Sequence, residues 1–167
     1  ESLGAREVVL DGEIVAFDET GRPNFQRLGP RIHALRPIDI QRASADIPVV
    51  YVVFDLVQLQ NRDLCRVPLI ERKALLQQLV RGQGLVRVLD HLVGDGRPLY
   101  ELSVRHQLEG VVAKRIASPY RPGPRRSEDW VKIKCEREDD FVVVGMAQGR
   151  GGRSRLGALL VGSYQGG

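Results

Sequence analysis

Alternating apolar and polar residues predict several short strands in this chain. Residues 6–17, REVVLDGEIVAF, have the period-two pattern of a half-buried strand. Residues 49–59, VVYVVFDLVQL, are a nearly continuous apolar run, which is typical of a central strand that is covered on both faces. A further strand is predicted at residues 85–93. Four more strand patterns follow, and they are GVVAKRI, DWVKIK, FVVVGMAQ and LGALLVGSY.

Apolar residues at helical spacing predict three helices. The first covers residues 25–35, and Asn24 before it can cap the helix because its side-chain oxygen accepts from a free backbone N–H. Pro30 is expected to end or kink this helix. Residues 36–47 are predicted to form a polar loop. The other two helices are predicted at residues 69–80 and 97–108.

Two lysines share one face of the strand predicted at DWVKIK. Successive side chains of a strand point to opposite faces, so Val131 and Ile133 face one way while Lys132 and Lys134 face the other. The two like charges repel each other unless an anion such as a phosphate lies between them. Glu109 precedes the partner strand, where its carboxylate can hold a divalent metal. The alternative is an ordinary solvated face with Glu109 as a surface charge.

Composition narrows the class of protein only modestly. The 167 residues carry a net charge of +4 and are 43% hydrophobic, as in a globular domain that is compatible with nucleic acid. Cys65 and Cys135 match no metal-binding spacing, which favours a reduced intracellular compartment. There is no run of membrane-spanning length, no signal peptide and no G-x-x-x-x-G-K-[ST] phosphate loop.

Four motifs resemble those of the covalent nucleotidyltransferases, the superfamily of ATP-dependent DNA ligases and mRNA capping enzymes. EGVVAK and WVKIK resemble the fourth and fifth motifs of that superfamily, and LDGEIVAFD resembles the third. VVFDL resembles the motif whose aromatic ring stacks on the purine. The segment between the paired motifs, SPYRPGPRRS, resembles the ligase domain of the bacterial end-joining enzymes of the ligase D type.

The resemblance implies roles for five residues in nucleotide binding. Glu13 is expected near the ribose and the metal, and Phe54 is expected to stack on the purine. Glu109 is expected to support the metal, whereas Lys132 and Lys134 are expected to bind the nucleotide phosphates and act in catalysis. The alternatives are that Phe54 is a core residue and that Glu13 belongs to a polar cluster at a strand edge.

Five cations are expected to face DNA. Lys114 and Arg115 follow the fourth motif and are predicted to line the cleft or the DNA, with an exposed surface role as the alternative. Arg121, Arg125 and Arg126 lie in a loop rich in glycine and proline, where they can reach DNA phosphates. The alternative for this loop is that it is merely solvated.

The resemblance also implies a fold and a division into domains. An α+β nucleotidyltransferase domain (ATP-grasp-like ligase), built from antiparallel sheets with flanking helices, is expected over residues 1–136. The start of an oligonucleotide-binding (OB-fold) β-barrel is expected over residues 137–167. The nucleophile of the superfamily is a lysine in a K-x-D-G motif, and none of the four lysines here is followed by x-Asp-Gly. The sequence is therefore expected to begin after that motif.

The function implied is that of a bacterial, cytoplasmic and nucleoid-associated DNA ligase. It would seal nicks and breaks through enzyme-AMP and DNA-adenylate intermediates, using ATP with Mg²⁺ or Mn²⁺. Its expected partners are nicked or broken duplex DNA and end-joining proteins, with no membrane. Because it lacks the K-x-D-G lysine, the chain by itself is expected not to adenylylate itself. The alternatives are a capping-type guanylyltransferase, against which SPYRPGPRRS argues, and a non-catalytic nucleotide- or DNA-binding module.

Overall fold

The two longest described strands belong to a sheet of four strands. The computed structural model describes residue 3 and residues 7–81, 84–123, 127–136, 140–149 and 156–163. Strand β1 (Val8–Ala16) lies antiparallel to β2 (Val49–Leu59) along its whole length. On the other edge of β2, β3 (Arg62–Asp63) pairs antiparallel and β4 (Val86–Val88) pairs parallel. The long strands β1 and β2 confirm the prediction, whereas β4 is shorter than its pattern indicated.

The pairing of β1 with β2 contains two irregularities of register. They lie between Val9 and Leu10 and between Asp11 and Gly12. At Gly12 a Cβ atom would lie 2.5 Å from the carbonyl oxygen of Val52, so the close approach of the two backbones requires a glycine. These bulges break the simple alternation of side chains along β1.

The described residues include four helices, and one of them was not predicted. Asn24 caps α1 (Phe25–Ile32), since its Oδ1 accepts from the backbone N–H of Arg27 at 2.9 Å. The helix continues through Pro30 and ends two residues later. Helix α2 (Pro37–Asp46) occupies the segment predicted to be a polar loop, so that prediction was wrong. Proline suits the first helical turn, but α2 buries no side chain and therefore has no strong amphipathic pattern to detect.

The hydrophobic core lies between β2 and α3 (Leu69–Leu79). The helices predicted at residues 69–80 and 97–108 are both present, as α3 and α4 (Arg97–Arg105). Apolar side chains from the strand, from the helix and from the turn between them exclude water from this interface. The buried members of the core are Val53, Leu56, Leu64, Leu76, Leu79 and Val80.

A two-stranded antiparallel hairpin carries the paired motifs. It consists of β5 (Gly110–Lys114) and β6 (Trp130–Lys134), as the pattern predicted. Gly110 has a φ of +146°, and a Cβ at this position would lie 2.1 Å from the carbonyl oxygen of Ile133. Any larger residue would therefore push the two strands apart.

A second hairpin, β7 (Val142–Ala147) with β8 (Ala158–Gly162), confirms the last two predicted strands. The GRGGRSR segment between them lies almost entirely outside the described residues. Assignment of residues 137–167 to an OB-fold barrel stays a prediction. The described chain is thus a mixed helix and sheet protein with mainly antiparallel strands, and none of its described helices is long and apolar enough to cross a membrane.

Candidate functional site

The five residues expected to bind a nucleotide come from two different sheets. Glu13 lies on β1 and Phe54 on β2, whereas Glu109, Lys132 and Lys134 belong to the β5–β6 hairpin and the residue just before it. Glu13 is exposed and lies opposite Val52 in the register. Among the described residues, Glu13 has no hydrogen bond or ion pair with the other four.

An exposed ion pair joins Glu109 to Lys132. The Lys132 Nζ donates to Oε1 of Glu109 at 2.6 Å, and both side chains are open to solvent. The hydrogen bond from Lys132 and its positive charge lower the pKa of the Glu109 carboxyl, and the charge of Lys134 adds to this. The carboxylate is therefore ionised at neutral pH and accessible to a cation.

The two faces of β6 differ from the expectation. Lys132 and Lys134 share a face, as the alternation predicted. The opposite face was expected to anchor the strand in the core, and this was wrong, since Val131 is 52% and Ile133 is 42% exposed. The physical reason is that β6 is an edge strand of a two-stranded sheet, and the neighbouring helix α4 packs against β5 instead.

Lys114 lies in an aromatic cluster that sequence analysis did not anticipate. Its Nζ lies 3.4 Å from the ring centroid of Trp130 and 4.2 Å from that of Phe54. The two rings are 6.2 Å apart in an edge-to-face arrangement at 76°. The ammonium of Lys114, predicted to line the cleft or face DNA, thus contacts two rings. Burial lowers the pKa of Lys114 to about 8, although the Asp55 charge opposes this change.

Phe54 has an intermediate environment. Its side chain is half buried, so it is neither enclosed like a core residue nor fully exposed for stacking on a base. Lys114 lies over its ring and Trp130 meets it by an edge contact. Stacking of Phe54 on a purine stays a prediction.

The residue after Phe54, Asp55, forms a buried ion pair with Arg72. Asp55 and Arg72 are both fully buried, and the guanidinium donates from Nε and Nη2 to the two carboxylate oxygens at 2.8 Å each. Arg72 also donates to the carbonyl oxygens of Val67 and Ser118, the latter at 3.0 Å. This bidentate pair ties β2 to α3 and to the loop after β5. The sequence signal was an aspartate inside an apolar strand and an arginine inside an apolar helix.

Tyr120 extends this network to β1. Its hydroxyl donates to Oδ2 of Asp11 at 2.9 Å, and Asp11 lies opposite Asp55 in the register of β1 and β2. Burial, followed by the hydrogen bond to Asp11, raises the pKa of Tyr120 to about 12. The Arg72 guanidinium lies 5.8 Å from the ring centroid, and the Trp130 ring lies 5.9 Å away. Tyr120 therefore connects the buried ion pair with the aromatic cluster.

The arginines expected to contact DNA are only partly described. Arg115 and Arg121 are exposed, and they share the carboxylate of Asp129 at 3.2 and 3.6 Å. Arg125 and Arg126 lie outside the described residues. DNA contact by these side chains stays a prediction.

Two exposed carboxylates, Glu109 beside the hairpin and Glu13 on β1, have the ligand chemistry of a magnesium site. Within the described ranges, no group of three or more His, Cys, Asp or Glu side chains is arranged to hold a metal. Mg²⁺ in nucleotide sites typically uses only one or two carboxylates, together with water and phosphate oxygens. The exposed, ionised Glu109 fits such a role, and exposed Glu13 has the same ligand chemistry.

The chain matches a known family over most of its length. The family model of the ATP dependent DNA ligase domain matches residues 2–134, so the chain belongs to this family. The recognition made from the motifs is thereby confirmed.

Among named relatives, this chain is similar to the multifunctional non-homologous end joining protein LigD of Pseudomonas aeruginosa. The two are 40% identical over 164 residues, which cover 97% of this chain and 18% of the relative. A DNA ligase of Thermococcus onnurineus is 32% identical over 170 residues, covering 98% of this chain and 30% of that protein. The chain thus spans less than a third of either relative's length.

Two solved structures resemble the fold. The mycobacterial DNA ligase D complexed with ATP and MES matches with a TM-score of 0.63 and 34% identity, covering 93% of this chain and 45% of that one. The ligase domain of LigD from M. tuberculosis matches with a TM-score of 0.57 and 36% identity, covering 76% of this chain and 38% of that one.

Proposed function

We propose that this chain is part of the catalytic core of an ATP-dependent DNA ligase of the ligase D type. Such an enzyme seals nicked or broken duplex DNA in the bacterial cytoplasm, at the nucleoid. The observation that carries the proposal is the exposed Glu109–Lys132 pair beside Lys134, in a chain that belongs to the ligase family. One mycobacterial relative was solved in complex with ATP, which supports ATP as the nucleotide.

The nucleotide would lie between the β1–β2 sheet and the β5–β6 hairpin. Phe54 would receive the purine, and Lys132 and Lys134 would bind the phosphates from one face of β6. In the free protein, Lys132 is held by Glu109 at 2.6 Å. A phosphate group competes for the same ammonium, so nucleotide binding would move Lys132 from Glu109 to the phosphate. The Glu109 carboxylate would then be released for another cation.

Glu109, helped by Glu13, would hold Mg²⁺ or Mn²⁺. The metal would neutralise phosphate charge in the transition state. Lys132 and Lys134 would add to this as donors that the hairpin already places on one face of β6. The attacking lysine would come from a K-x-D-G motif outside these 167 residues, because none of the four lysines here lies in such a motif.

Two domains and a set of partners complete the proposal. Residues 1–136 would form the nucleotidyltransferase part, and residues 137–167 would begin an OB-fold barrel. The apolar side chains of β7 and β8 are largely exposed, and further barrel strands would cover them. Arg115, Arg121, Arg125 and Arg126 would contact the DNA backbone. End-joining proteins would be partners, since the Pseudomonas relative is named for end joining.

The test is single-turnover adenylylation in a protein extended upstream to include the K-x-D-G lysine. Lys132→Ala and Lys134→Ala should each lose about tenfold to a hundredfold in rate, because a charge-assisted hydrogen bond made in the transition state is worth roughly 1.5–3 kcal/mol. Their melting temperatures should stay close to that of the parent. Full activity in both variants would refute the phosphate assignment, and Arg36→Ala, which removes an exposed cation just before α2, serves as the charge control.

The same assay separates the rival functions. A preference for GTP over ATP would indicate a capping-type guanylyltransferase. Incubated alone with α-labelled ATP and Mg²⁺, the 167-residue chain should stay unlabelled. If the extended protein also stays unlabelled but still binds nucleotide or DNA, a non-catalytic binding module is the better description.

A further inference from the structure

The Lys114 side chain connects the two sheets that contribute residues to the proposed nucleotide site. Lys114 ends β5, and its register partner Trp130 begins β6. Phe54 belongs to β2 of the other sheet. The Nζ of Lys114 contacts the rings of both, at 4.2 Å for Phe54 and 3.4 Å for Trp130.

We propose that Lys114 is a positioning residue for the nucleotide: its ammonium holds the Phe54 and Trp130 rings in the arrangement that receives the purine. The inference rests on the proposed function and assigns Lys114 a role different from DNA contact. A cation placed over aromatic faces is attracted by the negative charge of the ring faces, more strongly when it is removed from water. Lys114 is half buried, so the condition for a strong contact is met.

The other links between the sheets hold the loop after β5, which also meets the Trp130 ring through an edge contact with Tyr120. The carbonyl oxygens of Ile116 and Ser118 accept from the first turn of α3, and the backbone N–H of Tyr120 donates to Cys65. The Tyr120 hydroxyl reaches Asp11. None of these hydrogen bonds involves the Phe54 ring, which meets Trp130 in an edge contact and the ammonium of Lys114 over its face. Removal of the charge should therefore release this ring first.

The charge of Lys114 changes within an accessible pH range. Burial lowers its pKa to about 8, and the nearby cations Lys73 and Arg72 on α3 act in the same direction. Asp55 on β2 and Asp11 on β1 oppose them. The Tyr120 hydroxyl stays neutral through this range because its pKa is about 12. As the pH rises through 8, Lys114 loses its proton, the contact with the rings weakens, and nucleotide affinity should fall.

The contact itself can be tested without any nucleotide. The chain has only four lysines, so a ¹³Cε-lysine NMR spectrum of the 167-residue protein should resolve them, with Lys114 assigned by its loss in Lys114→Arg. The Lys114 signal should be displaced by the ring currents of Phe54 and Trp130 and should titrate near pH 8. A Lys114 signal without ring-current displacement would overturn the inference whatever the protein binds.

The consequence for nucleotide binding is measured on a protein extended upstream to include a K-x-D-G lysine. ATP should bind about tenfold more weakly to Lys114→Met at pH 7, whereas Lys114→Arg should stay within about twofold. Between pH 7 and 9 the affinity should fall in the parent and stay flat in Lys114→Arg, because arginine keeps its charge. Arg97→Met, which removes an exposed cation on α4, should behave like the parent.

The outcomes distinguish the positioning role of Lys114 from the proposed function of the chain. Unchanged or tighter ATP binding in Lys114→Met would overturn the positioning role, and tighter binding would mean that Lys114 blocks the ring instead. A parent protein that binds no ATP would refute the proposed function, and with it the nucleotide part of this inference. The NMR result would then decide separately whether Lys114 holds the two rings.

Discussion

The molecule contains two carboxylate–cation pairs that differ sharply in their surroundings. Asp55 and Arg72 meet in the core of the β1–β2 sheet, where both are fully buried and the geometry is bidentate. Glu109 and Lys132 meet on the β5–β6 hairpin, where both are open to solvent and share one hydrogen bond. A buried pair cannot exchange its partner without a large penalty, whereas an exposed pair can. The first region is therefore suited to holding structure and the second to binding ligands.

The largest effect is expected when the same substitution, valine to aspartate, is made on one strand of each region. Val53→Asp should abolish cooperative unfolding of the native domain, because it puts an unpaired charge at a position with no solvent exposure. Val131→Asp should cost no more than about 1 kcal/mol, since this side chain is 52% exposed and only strand preference opposes the change. Urea unfolding followed by circular dichroism measures both. A severe loss in Val131→Asp would mean that β6 is covered more fully than its exposure indicates.

The next largest effect is expected for the buried pair. Asp55→Asn leaves the Arg72 guanidinium buried without its counter-charge, and breaking such a pair typically costs about 3–5 kcal/mol. The free energy of unfolding should fall by that amount at neutral pH. Asp39→Asn, which breaks the exposed pair with Arg36, is the matched control and should change little. Equal losses in the two variants would remove the distinction between the buried and the exposed pair.

A smaller effect is expected for the hydroxyl that joins the loop to β1. Tyr120→Phe keeps the ring against Trp130 and removes the hydrogen bond to Asp11. The expected loss is about 1 kcal/mol, near the typical net value of one hydrogen bond plus the cost of leaving a half-buried carboxylate without it. Thermal melting of Tyr120→Phe beside Tyr100→Phe, on helix α4, provides the comparison. No difference between them would show that Asp11 finds water instead.

The smallest effect on stability is expected at the exposed pair. The pKa of Glu109 is lowered in the folded protein, chiefly by the hydrogen bond from Lys132, so any stabilisation is present at neutral pH and is lost as the pH falls through that lowered pKa. Because the pair is exposed, Glu109→Gln should melt within about 2 °C of the parent at pH 7 and identically in acid. A large drop at pH 7 would show that Glu109 is structural and would weaken its assignment to a metal.

Sequence patterns could predict the strands because period-two alternation and apolar runs are local properties. The paired motifs on β5 and β6 are local too, and the structure places them on adjacent strands in register. Helix α2 was missed because it buries no side chain. The prediction that Val131 anchors β6 in the core was wrong for another reason. The alternation shows which side chains share a face of the strand, but not which face is covered.

The clusters that join distant segments could not be predicted for a different reason. Asp55 meets Arg72 across 17 residues, and Lys114 reaches Phe54 only when two sheets come together. No spacing along the chain encodes such contacts. A charged residue inside an apolar run is nevertheless a usable signal, since it must find a partner if the segment is buried.

The bond between Tyr120 and Asp11 also bears on synthesis of the protein. The two residues are 109 positions apart, so the hydroxyl emerges from the ribosome long after β1. At about 5–20 residues per second, the Asp11 carboxylate waits roughly 5 to 20 s for its donor. During that interval β1 can pair with β2, but the loop that closes over them is still being translated. If β1 and β2 pair during that interval, water fills the hydrogen-bonding capacity of Asp11 until Tyr120 arrives.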